Sequence, residues 1–195
     1  SVTSQLVSCG RIVCSKGMVG SQPVAALNLS TLAHSRRTSL GRRRVESWRV
    51  VIGTRAHRIP KDRALAVVMG YCCVNDVTVR DLQKRDGQWT RAKGFDTFCA
   101  VGKPRVGAIT AAELTALDVV TRVNGEQRQH GKAADMAFSI PFLVAYISAI
   151  MTLERGDLIA TGTPAGVGKL DEGDIVEVEV VGVSMVTNPV AAPSV

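Results

Sequence analysis

A chain of 195 residues with 46% apolar content is long enough to bury a core without disulfides or metals. Its few aromatic residues and many Val, Ala and Gly suit a strand-rich globular fold and argue against disorder. The net charge of +7 raises nucleic-acid binding, but Arg36, Arg37, Arg42, Arg43 and Arg44 supply five of those charges with no aromatic residue between them, so a solvated basic patch is the better expectation and no nucleic-acid partner is expected.

In chain order, residues 1–46 show no sustained period and are read as a segment apart, disordered or foreign to the rest of the chain. Ser1 to Gly20 lacks a basic start followed by an apolar run, and no apolar stretch reaches the ~18 residues needed to cross a bilayer, so a cytoplasmic protein without membrane contact is expected. Trp48 to Gly53 predicts a short strand, and Leu65 to Val74 a buried one. Thr78 resembles a helix N-cap with Asp81 three residues on, opening a helix over 79–85 that Asp86-Gly87 ends. Gln88 to Gly94 reads as a polar loop. Ala111 to Leu114 predicts a brief helix, and Asn124-Gly125 a hairpin turn between strands 118–124 and 126–129. Ile140 to Leu153, with Pro141 near its first position, is the longest helix expected. A short strand comes next, over 157–161. Asp174 to Gly182 alternates, with Val176, Val178 and Val180 on the buried face.

The five cysteines form no CxxC pair, and Cys72 and Cys73, adjacent in a strand, should face opposite sides; free thiols are expected. His34, His57 and His130 have no metal-ligand spacing, and no nucleophile motif is present. Asp76, at a strand end, could hold a hard divalent cation or merely cap a helix. Arg80 and Gln83, three apart, share a helix face that could bind carboxylate and oxo groups or simply meet solvent. Lys93, with Thr97 four residues on, could stabilise developing negative charge or be a surface lysine. TGTPAGVG, residues 161–168, could cradle an anion through backbone N–H groups and Thr163, or be a tight turn.

The order of the segments is more specific than any one of them. GYCCVNDVTVRDLQ, DGQWTRAKGFDTFCAVG, TRVNGEQRQ, DMAFSIPFLVAYISAIMTLERGDLIATGTPAGVG and GDIVEVEVVGVSMVTNPV succeed one another between about Val50 and Val190, and together closely resemble the fumarylacetoacetate hydrolase family. The resemblance is to its smaller bacterial members: hydroxyheptadienedioate isomerases, carboxymethyl-oxohexenedioate decarboxylases and acylpyruvate hydrolases. It implies an α+β, mostly β fold, a mixed β-roll or β-sandwich with a few short helices, in a homodimer. It implies Mg²⁺ or Mn²⁺, a small oxo-dicarboxylate or acylpyruvate substrate, and enolate chemistry ending in hydrolysis, isomerisation or decarboxylation. By position it makes Asp76 a metal ligand, Lys93 the active-site lysine, and Arg80, Gln83, Thr97 and Thr163 substrate-side residues.

The chain departs from that pattern upstream of Val50. The family's two metal-binding glutamates, E-x-E, fall at Val45 and Ser47, and its catalytic His and Glu find no match; His34 lacks their context. Loss of two of three anionic ligands should weaken a divalent ion's hold severely. One account is a shifted reading frame in GC-rich DNA: AGC-TGG-CGG for Ser47-Trp48-Arg49, read from the last base of a Glu46 GAG codon, gives Glu-Leu-Ala. The coding DNA decides it. The rival to an enzyme is a scaffold that keeps the fold alone.

Overall fold

The computed structural model describes residues 12–14 and 42–191. Among the described residues two sheets carry the fold. The first, six-stranded, runs β1 (Ile12–Cys14), β8 (Leu158–Ala160), β2 (Arg42–Ile52), β3 (Val68–Val79) and β4 (Cys99–Val101), with β5 (Arg105–Val106) also paired to β3. β1 runs parallel to β8, and the other pairings are antiparallel. The second is an antiparallel meander in the order β10 (Ser184–Pro189), β9 (Ile175–Val180), β6 (Asp118–Val123), β7 (Glu126–Lys132).

β2 and β3 form the long ribbon that places the site. Their residues alternate between two environments, as the period of a strand demands. Trp48, Val50, Ile52, Tyr71 and Cys73 join the main core with Val176, Val178 and Val180 of β9. Val51, Cys72, Val74 and Leu158 form a smaller cluster of their own. Cys72 and Cys73 thus fall into different clusters, as adjacent strand residues should.

Among the described residues the four α-helices are short: α1 (Arg80–Asp86), α2 (Thr90–Lys93), α3 (Ala111–Thr115) and α4 (Ile140–Ile150). Thr110 and Glu113 close a capping box on α3, and the Ser139 hydroxyl accepts from Phe142 N at the start of α4, where Pro141 costs no hydrogen bond. Asn124 and Gly125 both have positive φ (52° and 80°), the geometry of a two-residue hairpin turn.

Several sequence expectations move. β2 begins at Arg42, not Trp48, so three arginines of the basic run lie in a ladder opposite Val77 to Val79. Residues 61–67 form a 3-10 turn, and β3 starts only at Val68. β3 then runs on through Asp76 to Val79, so Asp76 lies inside the strand and not after it. Thr78 is not a helix cap: α1 comes after Val79, with no side-chain bond at its start. Twelve residues of β3, held by β2 on one side and β4 on the other, override the local cap signal. The polar stretch 88–94 contains α2, and α4 stops at Ile150. Cys9, His34, Arg36 and Arg37 lie outside the described residues.

Candidate functional site

Asp76 stands between Val45 of β2 and Cys99 of β4 in the sheet register. Its Oδ2 accepts from two cations. Lys93 Nζ, at the end of α2, donates at 2.8 Å, and the Arg49 guanidinium donates at 3.3 Å. Lys93 Nζ also donates to Thr78 Oγ1 at 2.9 Å, and that hydroxyl donates to the Asp76 carbonyl at 3.4 Å. The side chains differ in access: Arg49 is 3% exposed, Asp76 16% and Lys93 21%. Period two explains Arg49. It sits on the β2 face opposite to Trp48 and Val50, so it turns away from the core toward the face that carries Asp76.

The ammonium of Lys93 has three donors and no acceptor. Two are used within the described residues, by Asp76 and Thr78. The third is available to a ligand. The α2 turn that delivers the lysine is fixed from below by Ala92, which packs with Val79, Leu82, Phe95 and Phe98. The ammonium and the guanidinium that flank Asp76 set a positive field that favours an anion.

On α1, Arg80 donates to Gln83 Oε1 at 2.6 Å, so the two residues read as one face do meet. Thr97 lies in the turn that joins α2 to β4, where Phe98 N bonds Phe95 O. Its φ of 71° is unusual for a β-branched residue and marks a strained position beside the cluster's own loop.

Thr163 lies elsewhere. It lines a cavity of about 780 Å³ with Trp48, His130, Phe142, Tyr146 and Pro164, and neither Asp76 nor Lys93 is in that lining. The loop that carries it is pinned. Thr161 Oγ1 donates to Trp48 O at 2.8 Å, and the buried Gln129 donates to Pro164 O and Ala165 O at 2.9 and 3.2 Å. Gly131 makes room, since a Cβ there would come within 2.7 Å of the Pro164 ring. His130 lies 3.3 Å from Asp118 at the same cavity. The structure therefore brings Asp76, Lys93, Thr78 and Arg49 together, pairs Arg80 with Gln83, and puts Thr163 on the wall of this other hollow.

Arg49 and Thr78 were missed in the sequence as members of the cluster. Strand period counted from Trp48 turns Arg49 away from the core, but only the β2–β3 register puts it on the Asp76 face.

The divalent ion that the resemblance implies finds no matching donor set. Among the described residues no group of three His, Cys, Asp or Glu side chains could hold one. The ladder neighbours of Asp76 are a valine and a cysteine, and its carboxylate is already paired with two cations. Residues 1–47 contain a single acid, Glu46, whose ladder partner is Asn75 rather than Asp76. Hard cations need several oxygens, usually anionic, and this arrangement supplies one already engaged. The positive charge beside Asp76 comes instead from Lys93 and Arg49.

Comparison with known proteins agrees with the fold. A protein of Methanocaldococcus jannaschii is 48% identical over 139 residues, covering 71% of this chain and 57% of its own length. An oxaloacetate tautomerase of Bacillus subtilis is 47% identical over 148 residues, 72% of this chain and 49% of that enzyme. The crystal structure of a 5-carboxymethyl-2-hydroxymuconate delta-isomerase from Mycobacterium smegmatis superposes with a TM-score of 0.75 at 39% identity, over 80% of this chain and 61% of that one. The chain thus spans little more than half the length of the first curated relatives it matches. The family model described as "Fumarylacetoacetate (FAA) hydrolase C-terminal" matches residues 49–191, starting at the arginine that pairs with Asp76 and taking in the second sheet and the first apart from β1 and the start of β2, and the chain belongs to that family.

Proposed function

We propose that the protein acts on a small oxo acid, an oxo-dicarboxylate or acylpyruvate, through an enolate stabilised at Lys93. The observation that carries this is the seat of the ammonium, fixed between Asp76 Oδ2 and Thr78 Oγ1 with one donor left over. A positive charge held in place before reaction stabilises the oxygen on which negative charge develops, at no cost of reorganisation. Arg80, kept in orientation by Gln83, would take the substrate carboxylate, since a guanidinium fork matches a carboxylate's two oxygens. Thr97 borders the same loop, and Thr163 would enter only if the TGTP loop and the Lys93 loop close on one ligand. Relatives whose names state tautomerase and isomerase activities support enolate chemistry, and hydrolysis is the further outcome that a fumarylpyruvate hydrolase neighbour suggests. A divalent ion, Mg²⁺ or Mn²⁺, belongs to the family reading, but the donor set around Asp76 does not support it here. A homodimer belongs to the same proposal: Phe138, Phe142 and Tyr146 stack in an exposed row that a second subunit could cover.

One observation favours a second reading. The Arg49–Asp76 pair ties up the carboxylate the family uses, as a scaffold that has lost catalysis would tolerate. A panel of oxaloacetate, acylpyruvates and hydroxyheptadienedioate, assayed with Mn²⁺ present, separates the two. Turnover that falls about a hundredfold or more in Lys93→Ala supports the enzyme. Turnover unchanged by that substitution discards Lys93. No turnover of any member by the wild-type chain leaves the scaffold.

A further inference from the structure

The failure of the metal fit has a positive counterpart in what Asp76 does hold. Its Oδ2 lies 3.3 Å from a guanidinium that is almost fully buried and 2.8 Å from an ammonium. Arginine cannot shed its proton to escape burial, so a guanidinium at 3% exposure needs a permanent anion beside it. Asp76 provides that anion. The same carboxylate would have to leave Arg49, or accept a third cation, before it could ligate a divalent ion.

Register shows which positions decide the matter. Val45 stands directly opposite Asp76 in the antiparallel ladder, and Ser47 stands opposite Val74, two residues away from Asp76. Directly opposed positions in such a ladder have Cβ atoms roughly 4.5–5.5 Å apart. Positions 45, 47, 49 and 76 therefore share one face by strand period, and of these four only Asp76 is an acid, where a cation site would need several oxygens.

We infer that Arg49 has taken the place of a divalent cation as the charge partner of Asp76, so that this chain binds no Mg²⁺ or Mn²⁺ at that carboxylate. The pocket's positive charge is then built into the polypeptide, by Arg49 and Lys93 together. This builds on the reading of the Asp76 face as a ligand site, but it concerns ion binding and not turnover. An oxo-acid panel without turnover would remove the proposed function and leave it untouched.

Calorimetric titration of Mn²⁺ into the full chain tests it. The expected result is no one-to-one binding tighter than about 1 mM, because a lone engaged carboxylate is a poor site for a hard cation. The triple variant Val45→Glu, Ser47→Glu, Arg49→Ala should bind Mn²⁺ at least about a hundredfold tighter than wild type, and adding Asp76→Ala should abolish the gain. Micromolar one-to-one binding by the wild-type chain that disappears in Asp76→Ala would overturn the inference. So would a folded triple variant that binds no better than wild type. If circular dichroism shows the triple variant unfolded, the wild-type titration decides alone.

Discussion

The two faces of the β2–β3 ribbon obey different rules. On one, Trp48, Val50, Ile52, Tyr71 and Cys73 pack into the main core, where size and apolar character are all that is required. On the other, within a few residues, Arg49, Asp76, Thr78 and Lys93 form a charged cluster whose members are fixed by hydrogen-bond geometry. Trp48 and Arg49 are neighbours in sequence yet answer to these two regimes. A volume-conserving apolar swap on the first face can be absorbed by repacking. A change of charge on the second alters what the protein can bind. The lesson is that a fold can be kept while its site changes chemical character, because alternate residues of one strand are judged separately.

The comparison can be broken first on the core face. Trp48→Ala removes a side chain that is 3% exposed and packed on the Tyr71 ring at 5.8 Å, and should cost about 3–5 kcal/mol in a denaturant titration. A loss under about 1 kcal/mol would mean that this face is not the core. On the charged face, Asp76→Ala removes the carboxylate that two cations share, one of them buried; a loss of about 2–4 kcal/mol is expected, lessened by the partial exposure of Asp76. Equal stability with and without Asp76 would show the ion cluster to be incidental.

A sharper separation comes from pH. Burial pushes the Tyr71 phenol up to about 12 from an ordinary 10.0. Between those values the unfolded chain releases the proton and the folded chain keeps it. Stability therefore holds below pH 10 and falls as pH rises toward 12, by roughly 2–3 kcal/mol. Tyr71→Phe should flatten that part of the pH–stability curve without moving the curve at pH 7 by a comparable amount. An unchanged alkaline slope would place the loss elsewhere. The smallest effect belongs to the loop beside Lys93. Thr97→Gly should stabilise by about 1 kcal/mol or less, since glycine adopts a φ of 71° without strain but loses more entropy on folding. A destabilisation of that size would show that the Thr97 side chain makes contacts worth more than its strain.

Much of the fold could be read before any coordinates. The alternation in β9, the Asn124-Gly125 turn and the Pro141 helix start each depend on signals a few residues long, and each stands in the structure. What failed were boundaries decided by partners distant in sequence. Thr78 carries a cap signal, but the pairing of β3 with β2 and β4 keeps the backbone extended past it. α2 is a single turn in a polar stretch, held by Ala92 beneath it, and nothing in its composition separates it from a loop. The site was legible in part, through resemblance more than through local pattern. Asp76 and Lys93 are 17 residues apart and meet only because α2 folds back over the end of β3. Arg49 was overlooked because a lone arginine in an apolar strand gives no sign of whether it snorkels to water or pairs inside.

The central claim is that an anionic oxo-acid ligand is held at Lys93 on the Asp76 face. Calorimetric titration of oxalate, a small planar dianion, into the wild-type chain and into Lys93→Met at equal ionic strength tests it most directly. One-to-one binding that weakens at least about tenfold in the variant, with the fold intact by circular dichroism, is the predicted result. Equal affinity in the two proteins, or no binding to the wild type, would contradict it.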